Sequence, residues 1–338
     1  MLEERGGVKV AGVVPYMHLS IEDEDSLSGQ LDNHDVGVID LAVIRFPRIS
    51  NFTDFNVFER LEGVSVRYVS SVQELGQPDM IFLPGSKNTM GDLRWMRQNG
   101  LEAAVKKLAV HIPVWGICGG YQMLGRTISD PHGVENENSL REPLYPAHCE
   151  AISHEPDTIA VERIKRDGAL PLRGMELIDT DTTLMPEKMR TQTRGKFENV
   201  TGIFSTLSGL EFSGYEIHMG VTRALSSREN EKEETAVFLE DGRRDGLCRK
   251  DGLVFGTYLH GLFDNEEWTG KLLSRLAEKK GILWRSPEES RRAYKEKQYD
   301  RLARLVRENL DMKKIYEIMG LEPKNTGEAE HAEGELTV

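Results

Sequence analysis

Fifteen residues, His111 to Gly125, constrain what this chain can fold into more than any other segment. Ile112 to Ile117 is a short apolar run typical of a buried strand, and Tyr121 to Arg126 has helical character. Glycines on both sides of Cys118 let the backbone take a strained turn, so that the cysteine side chain projects from the edge of a sheet. The segment therefore predicts a strand, a sharp turn and a helix, with Cys118 at the turn.

A thiol in this position has a chemical advantage. It lies at a helix N-terminus, where the helix dipole and the free N–H groups favour the thiolate. The N–H of Gly119 is placed to stabilise an oxyanion formed when a thiolate attacks a carbonyl. The alternative is a small buried cysteine packed in a glycine-rich turn. A nucleophile also needs a base, which must come from elsewhere in the chain.

Strands and helices alternate around this segment. The alternation predicts an α/β fold with a doubly wound, mostly parallel sheet, whose ligands lie at the carboxyl ends of the strands. Gly85 and Cys118 both fall at such ends, so Gly85 is a candidate second oxyanion donor and Ser86 a candidate substrate contact. An ordinary capped turn is the alternative for this loop. The predicted strands are Val36–Arg45, Val64–Val69 and Met80–Leu83, and the predicted helices Asp54–Leu61, Met90–Gln98 and Leu101–Leu108.

The second half of the chain is rich in strand-forming residues. Its last apolar run ends in Tyr-Leu-His-Gly, which places His260 at a strand terminus near the expected Cys118 pocket. His260 is therefore the candidate general base, and His218 is the competing candidate. The predicted strands are Met175–Ile178, Phe197–Phe204, Leu210–His218, Ala236–Leu239 and Leu253–Leu259.

These patterns predict one main domain over residues 36–264, interrupted by a proline-rich surface excursion at 129–172. Residues 1–35, with a strand-like run at Lys9–Val14, are expected to be a remnant of another domain and a linker. Residues 265–322 carry amphipathic helices over Glu266–Lys279 and Glu288–Leu310, and 323–338 are expected to be a disordered acidic tail. The excursion contains a predicted strand, Thr158–Ile164. It also contains four residues of the types that bind metals, whose spacing matches no common metal site: His132, His148, Cys149 and His154.

Composition excludes several function classes. A net charge of −13, from 43 basic and 56 acidic residues, is the opposite of what a nucleic-acid binder usually carries. No run approaches 18 consecutive apolar residues, so no membrane span is expected, and the N-terminus lacks the layout of a signal peptide, which predicts a cytoplasmic protein. Three widely spaced cysteines argue against a disulfide framework or a zinc ribbon.

Cys-Gly-Gly-Tyr-Gln after an apolar strand, with a distant Tyr-Leu-His-Gly, resembles the class I glutamine amidotransferases, and within them the cobyric acid synthase branch. Several long matches in one order make this resemblance more specific than any single motif. The segments that carry it are Glu22–Ser26, Ile39–Asp54, Leu83–Thr89, Gly116–Gly125, Gly214–Gly220 and Gly256–Phe263.

The resemblance implies a glutaminase, in which Cys118 attacks the side-chain amide of glutamine and His260 handles the protons. It implies that the N–H groups of Gly85 and Gly119 hold the oxyanion, and that Gln122 and Tyr215 line the pocket. Many relatives carry a glutamate two residues after the histidine. Leu262 stands there in this chain, so a Cys-His dyad is expected, with the group that orients His260 unknown.

The resemblance also implies a partner. Ammonia would pass to a corrinoid carboxylate activated by ATP and Mg²⁺ on a synthetase half. No Gly-x-x-x-x-Gly-Lys phosphate loop occurs in this sequence, so no cofactor is expected on this chain itself. Residues 1–35 resemble the last strand and linker of that half. The synthetase is then expected in cis, if the chain is a fragment, or in trans on another polypeptide.

Two alternatives remain open at this stage. One is the glutaminase subunit of a lipid II amidating complex, which works with a separate Mur-ligase-like partner. The other is a non-catalytic interaction module that keeps the fold. The presence of both Cys118 and His260 speaks against the module.

Overall fold

A computed structural model describes residues 2–17, 37–135, 171–225, 234–287 and 290–321. The described parts of Met1–Glu22 and Glu289–Val338 form one compact unit, and those of Asp23–Glu288 form a second, larger one. The predicted strand Thr158–Ile164, the acidic tail, His148, Cys149 and His154 lie outside the described residues. No helix in the described ranges is long and apolar enough to cross a membrane.

The larger unit contains the strands and most of the described helices. The strands are β1 (Ile39–Ile44), β2 (Ile49–Ser50), β3 (Val64–Val69), β4 (Met80–Leu83), β5 (Gly85–Ser86), β6 (Val114–Ile117), β7 (Thr127–Ser129), β8 (Leu172–Arg173), β9 (Thr180–Phe197), β10 (Glu211–Ala224), β11 (Glu234–Leu239), β12 (Arg244–Cys248), β13 (Val254–Thr257) and β14 (Leu259–His260). The helices of both units are α1 (Leu2–Gly6), α2 (Asn56–Glu59), α3 (Val72–Leu75), α4 (Thr89–Gln98), α5 (Leu101–Leu108), α6 (Gly119–Leu124), α7 (Glu266–Lys279), α8 (Arg291–Asn309) and α9 (Met312–Ile318).

One half of the main sheet is parallel. Its strands follow the order β3-β1-β4-β6-β13, and each neighbouring pair is parallel. Every residue of β1, β4, β6 and β13 is buried, as expected for strands covered on both faces. The carboxyl ends of β4 and β6 therefore meet at one edge, where Pro84 and Cys118 follow them directly.

The other half of the sheet is antiparallel. It continues from β13 through β12, β11, β9 and β10 to β14. Only Tyr258 separates β13 from β14 in the chain, so β14 begins at the carboxyl end of a strand in the parallel half, although it pairs with the last strand of the antiparallel half. His260 on β14 is thereby held against Tyr215 on β10, its partner in the register.

Aromatic side chains fill the core between the sheet and α7. Trp115 stacks on Phe255 with ring centroids 3.9 Å apart, and Trp268 from α7 meets Trp115 edge-on at 5.2 Å. Phe82 and Phe263 extend the cluster toward the carboxyl edge of the sheet. Burial of each such side chain contributes about 1.5–3 kcal/mol to folding, so this cluster fixes the sheet edge that carries Cys118.

The smaller unit is built from α1, α8 and α9 with the chain near Gly12. Gly12 forms an isolated antiparallel bridge with Leu310, and the N–H of Asp311 donates to the carbonyl oxygen of Ala11 at 2.7 Å. Ser290 caps α8 through the N–H of Ala293.

The predicted fold class is confirmed, and four helices or strands match the predicted bounds, namely Val64–Val69, Met80–Leu83, Leu101–Leu108 and Glu266–Lys279. Other predictions were wrong. Met175–Ile178 is not a strand, because its backbone bonds go to the end of α6. Phe197–Phe204 is not a strand either, since Gly202–Leu207 is a 3-10 helix. The predicted helix Asp54–Leu61 is replaced by a 3-10 turn, Phe52–Phe55, and the short α2, and Lys9–Val14 forms only the Gly12 bridge.

Candidate active site at the carboxyl edge of the sheet

Cys118 occupies the turn between β6 and α6, as the sequence predicts. Its backbone has φ 53° and ψ −108°, a conformation that costs on the order of 1–3 kcal/mol in a residue other than glycine. The side chain is 8% exposed, and its thiol lies 3.6 Å from the carbonyl oxygen of Ile217 on β10. The strained turn thus directs the thiol away from α6 and toward the antiparallel half of the sheet.

Close packing explains the glycines around Cys118. A Cβ on Gly120 would lie 1.9 Å from the carbonyl oxygen of Leu83, and a Cβ on Gly116 would lie 2.6 Å from Cδ1 of Leu124. The N–H of Gly120 also donates to the carbonyl oxygen of Pro84 at 3.0 Å. Helix α6 is therefore pressed against the end of β4, which brings its N-terminus beside the loop that follows β4.

His260 is fully buried beside this turn. Its Nδ1 lies 2.7 Å from Oδ2 of Asp54, and the N–H of Gly261 donates to Oδ1 of the same carboxylate at 2.9 Å. Among the described residues, Nε2 makes no hydrogen bond of standard geometry, but the Cys118 side chain is close enough to interact with the imidazole. The ring therefore has one nitrogen held by a carboxylate and the other available to Cys118.

Two opposing effects set the protonation of His260. Burial of the ring lowers its pKa, but the charge and hydrogen bond of Asp54 outweigh burial, and the Cys118 side chain adds to the increase. The pKa rises from 6.5 to about 10. The imidazole is therefore a cation at neutral pH, next to a thiol whose ionised form a cation stabilises.

Asp54 is a functional candidate that the sequence patterns did not single out, since they placed this residue only at the start of the predicted helix Asp54–Leu61. The carboxylate is 6% exposed and sits in the 3-10 turn Phe52–Phe55. An acidic residue between two buried phenylalanines was the available signal, because a buried carboxylate needs a partner. Leu262, two residues after His260, is buried and apolar, so the carboxylate that contacts His260 comes from a different part of the chain.

The loop after β4 carries Gly85 and Ser86. The Ser86 hydroxyl donates to Oδ2 of Asp92 at 2.6 Å and accepts from the N–H of Asn88 at 2.9 Å. Asp92 is completely buried, and burial raises its pKa from 3.8 to about 6. The hydroxyl proposed from sequence as a substrate contact is thus engaged in fixing the loop.

Backbone pairing shows which N–H groups of this loop take part in the β2–β5 ladder. β5 pairs with β2 in an antiparallel register that matches Ser50 with Gly85. In the same register, the N–H of Lys87 donates to the backbone carbonyl oxygen of Arg48 at 2.9 Å. Because hydrogen-bonded pairs alternate in such a ladder, the N–H of Gly85 belongs to it and that of Ser86 points out of it. The Ser86 nitrogen lies 2.9 Å from where a Cβ on Gly119 would be.

Gln122 is placed in a buried network. It is 3% exposed, its Oε1 accepts from the hydroxyl of Thr89 at 3.0 Å, and its Nε2 donates to the hydroxyl of Tyr258 at 3.3 Å. This amide ties α6 to α4 and to the segment between β13 and β14.

Tyr215 lies on β10 against His260. The two rings stack with centroids 5.2 Å apart and an interplanar angle of 19°. The tyrosine also lines a groove of about 1170 Å³, bounded by β9, β10 and the Gly261–Asn265 segment. Gly261, the residue after His260, lines the same groove, whereas His260 itself is fully buried.

His218, the competing base candidate, is engaged elsewhere. Its Nδ1 lies 2.8 Å from the carbonyl oxygen of Gly220, and its ring stacks on Tyr258 with centroids 3.8 Å apart. Its Nε2 lies 3.8 Å from a carboxylate oxygen of Glu216. The arrangement around His260 suits a general base better, because only that imidazole combines a carboxylate partner with the Cys118 side chain.

Within the described ranges, no group of three or more His, Cys, Asp or Glu side chains is arranged to hold a metal ion. The other described cysteine, Cys248, is a buried thiol on β12.

The sequence around this site is similar to that of a known protein family. Residues 40–144 and 158–268 match the model of the CobB/CobQ-like glutamine amidotransferase domain. The chain belongs to this family.

Relatives within the CobB/CobQ-like family are similar over almost the whole chain. The cobyric acid synthase of Ruminiclostridium cellulolyticum is 44% identical over 94% of the chain, and that of Lachnoclostridium phytofermentans is 41% identical over 94%. The corresponding protein of Alkaliphilus metalliredigens is 40% identical over 94%. The chain spans only 57% to 58% of the length of these relatives. It is thus an enzyme of the glutamine amidotransferase type that corresponds to a little more than half the length of these relatives.

Proposed function

We propose that this chain hydrolyses glutamine with Cys118, His260 and Asp54, and that it supplies the ammonia for ATP-dependent amidation of corrinoid carboxylates. The observation that carries the proposal is the His260 imidazole, held 2.7 Å from Asp54 on one side and beside the Cys118 side chain on the other. Family membership makes glutamine the substrate of such a site.

The first half of the reaction forms a thioester. The Cys118 thiolate attacks the side-chain amide carbon of glutamine, and the carbonyl oxygen becomes an oxyanion. The N–H groups of Gly119 and Ser86 are proposed to stabilise that oxyanion, because the Ser86 nitrogen lies close to Gly119, 2.9 Å from where a Cβ on that residue would be. Ser86 takes the role that sequence assigned to Gly85, because the Gly85 N–H is used in the β2–β5 ladder. His260 then transfers a proton from Nε2 to the amide nitrogen, and the C–N bond breaks to release ammonia.

The second half regenerates the enzyme. His260, now neutral, removes a proton from a water molecule that attacks the thioester carbon, and the C–S bond breaks to give glutamate and the free Cys118 side chain. Throughout, Asp54 accepts the Nδ1–H bond, which holds the ring with Nε2 toward the reacting atoms. A Cys-His-Asp triad therefore replaces the dyad expected from sequence.

The acceptor half belongs to another part of the assembly. Relatives named cobyric acid synthase are longer than this chain, which leaves room in them for a synthetase half. ATP and Mg²⁺ are proposed to act there, since this sequence offers no phosphate-binding loop of the Gly-x-x-x-x-Gly-Lys type. The corrinoid acceptor binds that half in the same proposal, and this chain contributes ammonia.

Glutamate release from glutamine by the purified chain tests the proposal, first alone and then with the synthetase half of a cobyric acid synthase added. Cys118→Ala and His260→Ala are expected to abolish release, whereas Cys248→Ala, which removes the other described thiol, should retain it. Mass spectrometry should detect a glutamyl adduct on Cys118.

If the wild-type chain releases no glutamate, either alone or with the synthetase half, the non-catalytic interaction module would be favoured instead. Release that is stimulated by a Mur-ligase-like partner, and not by the corrinoid synthetase half, would favour the lipid II complex.

A further inference from the structure

We propose that Asn51 and Tyr215 form a clamp that positions the His260 imidazole, a role that rests on the proposed glutaminase function. Neither residue belongs to the triad. The clamp acts on the orientation of the ring, and so on the direction in which Nε2 delivers its proton.

The first half of the clamp is the stacked pair. Tyr215 and His260 are register partners on β10 and β14, and their rings lie nearly parallel at 19° with centroids 5.2 Å apart. A single hydrogen bond from Nδ1 to Asp54 leaves the imidazole free to pivot about that bond. A flat ring packed against its face removes this freedom. The tyrosine therefore supplies the restraint that the carboxylate alone does not.

The second half of the clamp is the tie that holds the tyrosine. Nδ2 of Asn51 donates to the Tyr215 hydroxyl at 3.0 Å, across 164 residues of chain. Asn51 is in the left-handed region, with φ 55° and ψ 33°, and immediately precedes the 3-10 turn that carries Asp54. Asparagine tolerates this conformation better than most residues. The turn that presents the carboxylate to His260 therefore also anchors the ring that covers His260.

These contacts close a circuit. Asn51 bonds to Tyr215, Tyr215 stacks on His260, His260 bonds to Asp54, and Asp54 lies three residues after Asn51. A shift of any one member strains two others. Such a closed set fixes geometry more tightly than a linear chain of contacts, because no member has a free end.

The electrostatics agree with this geometry. Burial raises the pKa of Tyr215 to about 12, and the nearby charge of Asp54 adds to the increase. The hydroxyl therefore stays protonated over the working range of pH, and the clamp remains neutral. A cationic imidazole against the face of a neutral aromatic ring is also favourable.

Variants at the two positions separate the effect of the Tyr215–His260 stacking, called the stack, from that of the Asn51–Tyr215 hydrogen bond, called the tie. Tyr215→Phe keeps the ring and loses the tie, Tyr215→Leu loses both, and Asn51→Gly keeps the left-handed backbone but loses the side chain. Asn51→Asp supplies a carboxylate that accepts from the Tyr215 hydroxyl, so it should rescue the clamp. Asn99→Ala, directly after α4 in the larger unit, and Tyr299→Phe, on α8 in the smaller unit, alter the same residue types and are the matched controls.

Kinetics provide the first readout. We expect kcat for glutamine hydrolysis to fall about tenfold in Tyr215→Phe and in Asn51→Gly, and about a hundredfold in Tyr215→Leu, with KM within about twofold of the wild type. Asn51→Asp should recover most of the loss. A rise in KM at unchanged kcat would make Tyr215 a wall of the substrate groove, and would overturn the clamp.

The second readout needs no turnover. The protonation midpoint of His260, followed by NMR of ¹⁵N-labelled histidine and assigned with His260→Gln, should fall by about one pH unit in Tyr215→Leu as the ring pivots off Asp54. A midpoint equal to the wild type in Tyr215→Leu would overturn the clamp. A shifted midpoint in a chain that never hydrolyses glutamine, even with the synthetase half, would support the clamp and contradict the proposed function.

Discussion

Oδ2 of Asp54 lies 2.7 Å from Nδ1 of His260, although 206 residues separate the two in sequence. The same carboxylate accepts from the N–H of Gly261, so both of its oxygens are directed at the His260 turn. The carboxylate is 6% exposed and the imidazole is fully buried. This contact therefore operates with little screening by solvent, and it is the main reason the imidazole remains charged.

Asp54→Asn tests that contact directly. Without the carboxylate, only the Cys118 side chain opposes the effect of burial, so the His260 pKa should fall well below the wild-type value of about 10. The amide also permits the wrong imidazole tautomer, so we expect kcat for glutamine hydrolysis to drop by about 10²–10³ with KM little changed. Steady-state kinetics checks the rate and NMR titration checks the pKa. Asp79→Asn, at the opposite end of the sheet, is the control, and equal losses in both variants would contradict a specific role.

The His260 pair also predicts a pH dependence of stability. Folding raises the pKa of His260 from 6.5 to about 10, so the folded protein holds this proton more tightly than the unfolded chain. The stabilisation is fully present below about pH 6.5 and is lost as pH rises through 10. We expect the free energy of unfolding of the wild type to exceed that of His260→Gln by an amount that shrinks between pH 7 and pH 10. Urea denaturation at several pH values measures it, and a gap that stays constant with pH would count against the assignment.

Asp92 should also make the free energy of unfolding depend on pH. Burial raises its pKa from 3.8 to about 6, so the folded state favours the protonated form, and the stability it contributes below pH 3.8 is lost as pH rises through 6. Asp92→Asn keeps an acceptor for the Ser86 hydroxyl and removes the buried charge. We expect it to raise the free energy of unfolding by up to about 3 kcal/mol at pH 8, with no gain below pH 4.

The matched variant for this test is Asp241→Asn. Hydrogen bonds from Arg243 lower the pKa of that exposed carboxylate, so its removal should not stabilise the protein at pH 8. Destabilisation of Asp92→Asn at pH 8 would show that the ionised carboxylate is needed for the Ser86 loop.

Gly120→Ala tests the close approach of α6 to β4. The added Cβ would lie 1.9 Å from the carbonyl oxygen of Leu83, and because that oxygen belongs to the backbone of the buried strand β4, it has little room to move. We expect a loss of about 2–4 kcal/mol in the free energy of unfolding, together with lower glutaminase activity as the Cys118 turn is displaced. Gly6→Ala, which meets no heavy atom within 4 Å, should be nearly neutral, and thermal unfolding of both variants would reveal whether crowding is the cause.

Local patterns were enough to predict the parallel half of the sheet and the Cys118 turn. β3 and β4 were predicted residue for residue. β4 is a continuous apolar run of the kind found in buried parallel strands, and β3 places a β-branched valine at every other position near its start. The glycines around Cys118 indicated a crowded turn, and the structure shows the contacts that require them. Apolar runs and glycine positions of this kind can be recognised within about a dozen consecutive residues of sequence.

The Asp54–His260 contact and the proposed oxyanion donor could not be predicted in that way. Asp54 sits in a 3-10 turn whose sequence resembles a helix start, and only the closure of β14 onto β10 brings His260 to it. The N–H of Ser86, rather than that of Gly85, is left free by a two-residue ladder with β2, and a strand that short carries no recognisable period. Both features depend on long-range pairing, which local propensity does not encode.

The short β14 has a consequence for the timing of activity during protein synthesis. β14 reaches its position only when it pairs with β10, which itself requires β9 and the strands that lead back to β13. A ribosome that has made Asp54 and Cys118 has not yet made the base that completes the proposed triad. A nascent or truncated chain would therefore carry the Cys118 thiol without its base. Such a chain would not hydrolyse glutamine until the whole sheet had assembled.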